Sequence, residues 1–595
     1  MSPKSMRPTY HLTHTPLFQP HIKDIPLQHR ARISYERAKQ VAKAYALTPA
    51  DILTLSHKFW QLHSDPIFGV DGAAATLLTL QYNCCAGTLA MFAPEQPAID
   101  DILRLVLAYE VIGMFCLTEV GHGLDVIHME TTATLLENGE FDLHTPLERA
   151  AKYMPPTAPV GIPCIAIVFA RAIIRGEDCG IKPFVVDIND GYRMAPGVTC
   201  KLLPQRGGAR PFNHSLTYFN HVRLPYSALL GTADKPEDSR MAFFYSISRV
   251  AVGTIALGSF GPPALRVAST IAARYSMRRT VVDPDGRRKP IIEFRTQKTP
   301  IITALAQSFV LDAMHARAIA LFRDVSADFR VRHAMAAIHK VTMIQHAQAA
   351  NLMLGDRCGA QGLFEVNQIT AIHGDMRGSA IAEGDLLGIS IRFATELLLQ
   401  RYNMPATDDP TGFLAKHEEG IFTELRAALV CMKHHRSDDF DRMVLPECFN
   451  LIQAIGHRMA YDAAVAAKLD RCLIDMYVAS CVKLDSAWYV ENLGLSRKEQ
   501  REMENRAVDA IYPRLEELLG RMDVSRYITA PIVSEERWDT FVARLPTFSN
   551  SGGSQCDASE SGVEDDAGGP LYINLYARDA EFGRHVLETV PKSRL

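Results

Sequence analysis

Glu383 is expected to stand between a small-residue loop, Gly378-Ser379-Ala380, and an apolar helix that begins near Asp385. A carboxylate at such a juncture suits proton abstraction from a weakly acidic carbon, because the base has to be held against its target. Burial beside apolar material raises its pKa, and a helix N-terminus lowers it. An isolated glutamate in this setting is ordinarily a helix cap. The second group is Thr118-Glu119-Val120-Gly121-His122-Gly123. A hydroxyl with glycine backbone N–H groups can bind the O and N atoms along the edge of a planar ligand. The ordinary alternative is a helix C-cap followed by a turn. Arg279 lies near Arg278, Arg287 and Arg288. It can give bidentate donation to phosphate, or belong to a solvated basic cluster. Cys358-Gly359-Ala360-Gln361-Gly362 reads by itself as a helix-ending turn.

Other chemistry-bearing residues carry less. His434-His435 lies in the charged stretch Lys433–Arg442 and reads as a solvated loop. Glu418-Glu419 reads as a helix face. No HExxH, P-loop or Ser-His-Asp pattern occurs at a convincing spacing, and no metal site is expected.

The elements that must position these residues follow from periodicity. Residues 30–115 read as helical: Ala31–Tyr45 holds helix formers without Gly or Pro, and Ile52, Leu55, Phe59 and Leu62 recur at helical spacing. The pattern changes near Cys116. Thr131–Leu136 and Phe141–Leu143 flank Asn138-Gly139, a hairpin signal. Ile165–Ile174, Pro183–Ile188 and Leu216–Val222 are short β-type runs, so 116–235 is expected to be a β domain. Long helices are expected over Ile302–Arg323, His333–Leu354, Asn450–Cys481 and Ser496–Arg521. Ser549–Gly569 is Ser, Gly and acid rich and reads as a disordered linker, followed by an amphipathic piece, Leu571–Val590.

The whole composition bounds the rest. A chain of 595 residues is too long for one core. Lys plus Arg total 63 against 67 Asp plus Glu, so there is no basic field for nucleic acid. No uninterrupted apolar run reaches the roughly 18 residues of a spanning helix. The 12 cysteines form no CxxC pair and are expected to be free thiols. The chain ends Ser593-Arg594-Leu595, a close variant of the S-K-L peroxisomal address, and an import receptor and a peroxisomal location are expected from it.

Four stretches, in order between about 110 and 520, resemble the acyl-CoA oxidase branch of the acyl-CoA dehydrogenase superfamily. They are Thr118–Gly123 with Glu130-Thr131-Thr132-Ala133-Thr134; Arg274–Arg279 with Phe294-Arg295-Thr296-Gln297; Cys358–Gly362 with Glu383-Gly384; and Leu473–Glu491. The resemblance implies an α+β, mainly α fold. Its parts are an N-terminal helical domain (1–115), a central β domain (116–235) and two C-terminal helical domains (236–410 and 411–548). The linker (549–569) and a C-terminal segment (570–595) follow. It implies FAD, an acyl-CoA substrate and a homodimer. Glu383 becomes the catalytic base, taking the pro-R α-proton, with its own backbone N–H holding the thioester oxygen. The expected FAD-binding positions are Thr118, Gly121, Gly123, Thr157, Arg279, Gly359 and Gly362. The product would be a trans-2-enoyl-CoA, from β-oxidation or from a secondary-metabolite (toxin) pathway.

Two departures from the family pattern stand out. Lys152-Tyr153-Met154-Pro155-Pro156-Thr157 replaces a Trp- and Gly-rich loop, and Arg295 replaces a customary Gln. The resemblance implies O2 as electron acceptor with H2O2 as product, an expectation that the terminal tripeptide favours. A dehydrogenase passing electrons to an electron-transfer flavoprotein is the alternative within the fold. A catalytically silent binding subunit is the alternative from another class.

Overall fold

The computed structural model describes residues 7–20, 26–208, 212–432 and 434–547. Ser593-Arg594-Leu595, the Ser549–Gly569 linker and the Leu571–Val590 piece lie outside them. One compact unit ends at Leu545.

Helix α1 (Leu27–Tyr45) opens an N-terminal helical region, as its composition predicts. Helix α2 (Gly72–Leu78) follows, its N-terminus capped by the Asp71 carboxylate, which accepts from the Ala74 N–H. The chain then winds wider, as a π-helical turn over Thr79–Ala86. Such turns recur at functional sites, because the extra residue per turn re-aims side chains.

The helical region ends earlier than periodicity suggests. Strand β1 is Ile112–Cys116, so the change falls before Cys116. A short buried apolar run cannot be assigned to strand or helix from spacing alone. β1 and β2 (Thr132–Leu135) pair in parallel with successive halves of one long strand, β5 (Cys164–Ile174): Cys116 lies opposite Val168, and Thr132 opposite Arg171. The segment between them, which holds Thr118–Gly123, is therefore an excursion out of the sheet and not a helix C-cap. β2 and β3 (Phe141–His144) form the expected hairpin, with Gly139 at φ +85° in its turn. β6 (Glu177–Asn189) lies on the other side of β5. The short β4 (Lys152–Tyr153) joins a second sheet with β7 (Val198–Leu202) and β8 (Ser215–Phe219). The Leu216–Val222 run is not one strand: His221 at φ +54° turns the chain between β8 and β9 (Val222–Leu224).

The remainder is helical. α3 (Arg249–Gly258) and α4 (Gly261–Arg278) abut almost end to end. Together they are long and apolar enough to cross a membrane, but 89% of that window is buried inside the fold, as for a core helix. α5 (Arg295–Arg323) and α6 (Phe329–Arg357) match the long helical runs. α6 packs on α3, α4, α5 and on α7 (Ile369–Ile381). Gly378-Ser379-Ala380, expected to be a loop, form the last turn of α7, and a short corner then leads into α8 (Leu386–Leu398).

Two expected long helices are each broken. Asn450–Cys481 is α10 (Cys448–Ala466) and α11 (Arg471–Leu484), separated where Lys468 turns left-handed at φ +53°. Ser496–Arg521 is α12 (Arg497–Ile511), a 3-10 turn and a short helix. Pro513 lacks the N–H that would continue the ladder. Between α8 and α10 lies α9 (Phe413–Val430), where Glu418 turns inward: both its oxygens accept from Arg458 of α10, at 2.6 and 2.9 Å.

Candidate active site

Glu383 occupies the corner between α7 and α8 at φ +53°, followed by Gly384 at φ +90°. A left-handed conformation costs a residue with a Cβ about 1–2 kcal/mol, so the surroundings have to hold it. They hold it by all three carbonyls of the corner. The buried Lys340 of α6 donates from Nζ to the carbonyls of Ala382 (2.5 Å) and Gly384 (2.6 Å). Thr254 of α3 donates to the Glu383 carbonyl at 3.0 Å. Asp385 then caps α8 by accepting from the Gly388 N–H at 2.8 Å.

The Glu383 carboxylate points back into the protein. Among the described residues, Oε2 is buried with no hydrogen-bond partner, and Oε1 has only the Cys84 thiol at 3.6 Å. Room for it exists because residue 253 of α3 is glycine: a Cβ there would sit 1.1 Å from Oε2. Burial pushes the Glu383 pKa up to about 7, against the opposing pull of Lys340, Cys84 and Arg249. Burial likewise brings Lys340 down to about 8, with Glu383 and Asp385 opposing.

Arg249 stands behind the base. Its guanidinium donates to the carbonyls of Asn83 (2.9 Å) and Ile52 (3.3 Å) and lies 5.7 Å from the Phe59 ring centroid.

Glu383 lines a cavity of about 150 Å³. Its apolar wall comes from Phe68, Leu80, Leu257, Phe260, Ile372 and Met376. Arg206, from the loop after β7, reaches the same cavity. The chamber thus lies between the N-terminal helices, the α3–α4 pair and α7, with the β domain at one side.

The expected FAD positions fall into three groups. Thr118 and Gly123 lie on the excursion after β1. The Thr118 hydroxyl donates to the Tyr153 carbonyl, and a Cβ at Gly123 would meet no atom within 4 Å. Gly121 and Thr157 are already engaged: the Gly121 N–H donates to the Arg149 carbonyl at 2.8 Å, and the Thr157 hydroxyl is buried against that of Thr217 at 2.7 Å. Arg279 is exposed just past α4. Gly359, at φ +58°, borders open space, and Gly362 packs so closely that a Cβ would lie 2.1 Å from the Gly355 carbonyl oxygen.

The two departures also resolve. Tyr153 presents an aromatic side chain that is 45% exposed, beside Thr118. Arg295 pairs with Asp509 at 2.7 Å. The Gln297 amide donates to the Ser276 hydroxyl and the Arg357 carbonyl, both at 2.8 Å. Exposed Tyr153 beside unobstructed Gly123 leaves a face open to a planar ring, and exposed Arg279 offers a separate cation to phosphate.

Sequence reasoning missed Lys340, Thr254, Gly253, Cys84 and Arg249. Two of them carried a signal. Lys340 is the one Lys, Arg, Asp or Glu in the mainly apolar helical run Ala334–Ile344, and a lysine there has to be buried and satisfied. Gly253 sits inside a helix, where Ala is favoured by about 0.5–1 kcal/mol unless space is required.

Residues 259–398 match the acyl-CoA oxidase C-alpha1 domain. The chain is 27% identical over 318 residues to peroxisomal acyl-coenzyme A oxidase 3 of Homo sapiens, covering 48% of this chain and 44% of that one. Acyl-CoA oxidase 1 from Yarrowia lipolytica superposes with a TM-score of 0.78 at 16% identity, over 99% of this chain and 93% of that one. This chain is a relative of the acyl-CoA oxidases. Acyl-CoA oxidase-2 of Caenorhabditis elegans, solved with FAD, ascaroside-CoA and ATP, shares the fold at a TM-score of 0.69 and 14% identity, over 98% of each chain. By sequence, the match to the curated oxidases spans about half of their length. Glu383 of this oxidase relative lies inside the matched C-alpha1 domain, as do Lys340, Gly359 and Gly362.

Proposed function

We propose that the chain binds FAD and oxidises an acyl-CoA between Cα and Cβ to the trans-2-enoyl-CoA, with O2 as electron acceptor. The observation that carries this reading is Glu383, a carboxylate with pKa raised to about 7 on the wall of a largely apolar cavity. A thioester α-proton is weakly acidic, and a base poised near neutrality gains driving force for its removal while a large fraction of it stays ionised. The chain's own residues supply alignment. The cavity holds the acyl chain, the Glu383 carboxylate takes the α-proton, and the Glu383 N–H donates to the thioester oxygen as enolate character builds. The chemistry FAD supplies when bound is acceptance of the β-hydrogen as hydride and reoxidation by O2 with release of H2O2. Thr118, Gly123 and Tyr153 would border the ring, and Arg279 with the Gly359 turn would meet the dinucleotide. Thr157 and Gly121 contribute by shaping that border.

The test is the visible spectrum of the purified protein with a panel of acyl-CoAs. Bleaching under anaerobic conditions, recovery in air and stoichiometric peroxide support the oxidase. Bleaching that recovers only with an electron-transfer flavoprotein transfers the reading to a dehydrogenase. A folded protein that takes up no FAD overturns it in favour of a silent subunit. Peroxisomal location is part of the proposal. It rests on relatives named as peroxisomal. Assembly as a homodimer is also part of it and is read out by light scattering.

A further inference from the structure

Lys340 is fully buried, yet its Nζ makes no ion pair within 4 Å among the described residues. It donates instead to two carbonyls, those of Ala382 and Gly384, on either side of Glu383. A buried ammonium without a carboxylate contact is expensive, and an apolar side chain of similar length would fill the space at lower cost. Something other than stability accounts for it. We propose that Lys340 is a positioning residue: its ammonium fixes and polarises the peptide group between Ala382 and Glu383, so that the Glu383 N–H is aimed and strengthened as the donor to the thioester oxygen. This inference rests on the acyl-CoA reading above and adds a residue that neither the motifs nor the comparisons assign.

The geometry supplies the reason. In a trans peptide the C=O and N–H point in opposite directions. A cation held on the Ala382 oxygen therefore directs the Glu383 N–H away from α6. It also draws electron density toward the oxygen, which makes the N–H a stronger donor. Among the described residues that N–H has no hydrogen-bond partner. The second bond, to Gly384, and the Thr254 bond to the Glu383 carbonyl leave the corner no freedom to rotate. A donor fixed before the reaction begins is worth more than one that must reorganise during it. Glu383 and Asp385 from the corner, Arg249 from α3 and Cys84 from the π-helical turn are the charged or titratable groups around this centre.

The experiment compares the FAD-loaded full chain with K340M and K340R. K340M is expected to keep its flavin and its KM within a few-fold, and to lose kcat by about 100-fold. Infrared spectra of a bound, carbonyl-labelled acyl-CoA are expected to lose most of the red shift of the thioester C=O in K340M. The wild-type kcat is expected to fall on the alkaline side near pH 8. K340R keeps its charge at all working pH, so its alkaline limb moves beyond about pH 10. A K340M enzyme with full kcat and an unshifted carbonyl overturns the proposal. So does a K340R limb that stays near pH 8, which decides the matter even when K340M fails to fold. If the wild type oxidises no acyl-CoA, the proposed reaction fails by itself. Amide hydrogen exchange at residues 382–384 then judges Lys340: unchanged protection in K340R and K340M overturns its positioning role.

Discussion

Among the described residues the Glu383 carboxylate has one weak thiol contact and one oxygen with no partner, so little there stabilises its charge. Its carboxyl is raised by burial, and the reaction needs the ionised form. Activity is therefore expected to rise as pH increases through about 7, and to fall as Lys340 loses its proton near pH 8. The two groups interact, so the bell-shaped profile reports the pair. E383Q is expected to abolish flavin bleaching by acyl-CoA while leaving FAD bound. Bleaching at the wild-type rate would remove Glu383 from its role. Gly253 gives a sharper test, because a methyl group there must displace Oε2. G253A is expected to lower kcat by about 100-fold through misplacement of the base. It should leave the melting temperature unchanged or raised, since Ala suits a helix better than Gly. Loss of both activity and stability would mean that the helix, and not the base, is disturbed.

Strands and loops of the β domain are tied to one another through a buried ion pair. Lys152 of β4 contacts Glu119 of the excursion after β1 at 3.0 Å, with both side chains inaccessible to solvent. Glu119 also accepts from the N–H groups of Glu130 (2.8 Å) and Thr131 (3.0 Å). Burial resists its ionisation, but Lys152 and these donors prevail and hold its pKa below the usual range. This pair fixes Thr118 and Gly123 against Tyr153. Removing one partner strands the other, at a cost of about 3–5 kcal/mol. E119Q is expected to lower the melting temperature by that equivalent and to loosen flavin binding, read as an increased Kd for FAD. Replacing both partners with apolar residues should recover much of the stability. A single variant as stable as the wild type would show that the pair is not what holds the excursion.

For the molecule as a whole, the compact unit ends at Leu545. A chain cut after residue 547 is expected to melt at the same temperature and to load FAD as the full chain does. A truncated chain that aggregates would show that the last residues contribute to the fold. Within the compact unit one hydrophobic core runs continuously from Leu12 to Ile532, through the β domain and the helices. The cavity beside Glu383 draws its walls from residues 65–80, 206, 257–264 and 372–383.

The sequence by itself determined the order of helices, strands and helices, the β2–β3 hairpin and the place of Glu383. Each rests on local signals: spacing of apolar residues, Asn138-Gly139, and small residues beside an acid. The same local view extended one helix across Lys468 and another across Pro513, and joined two strands across His221, because a single backbone reversal barely disturbs periodicity. It read Glu418 as part of a helix face, as α9 makes it, but not its inward turn to Arg458. Only the tertiary structure brought Lys340, Thr254, Gly253 and Cys84 to Glu383. They come from three elements distant in the chain, and their roles are to occupy, vacate or polarise a space that exists only once α3, α6, α7 and the π-helical turn have packed. Thr157 and Gly121 show the converse. Their types suited a cofactor, but whether a hydroxyl or an N–H remains available depends on partners such as Thr217 and Arg149, which the fold alone supplies.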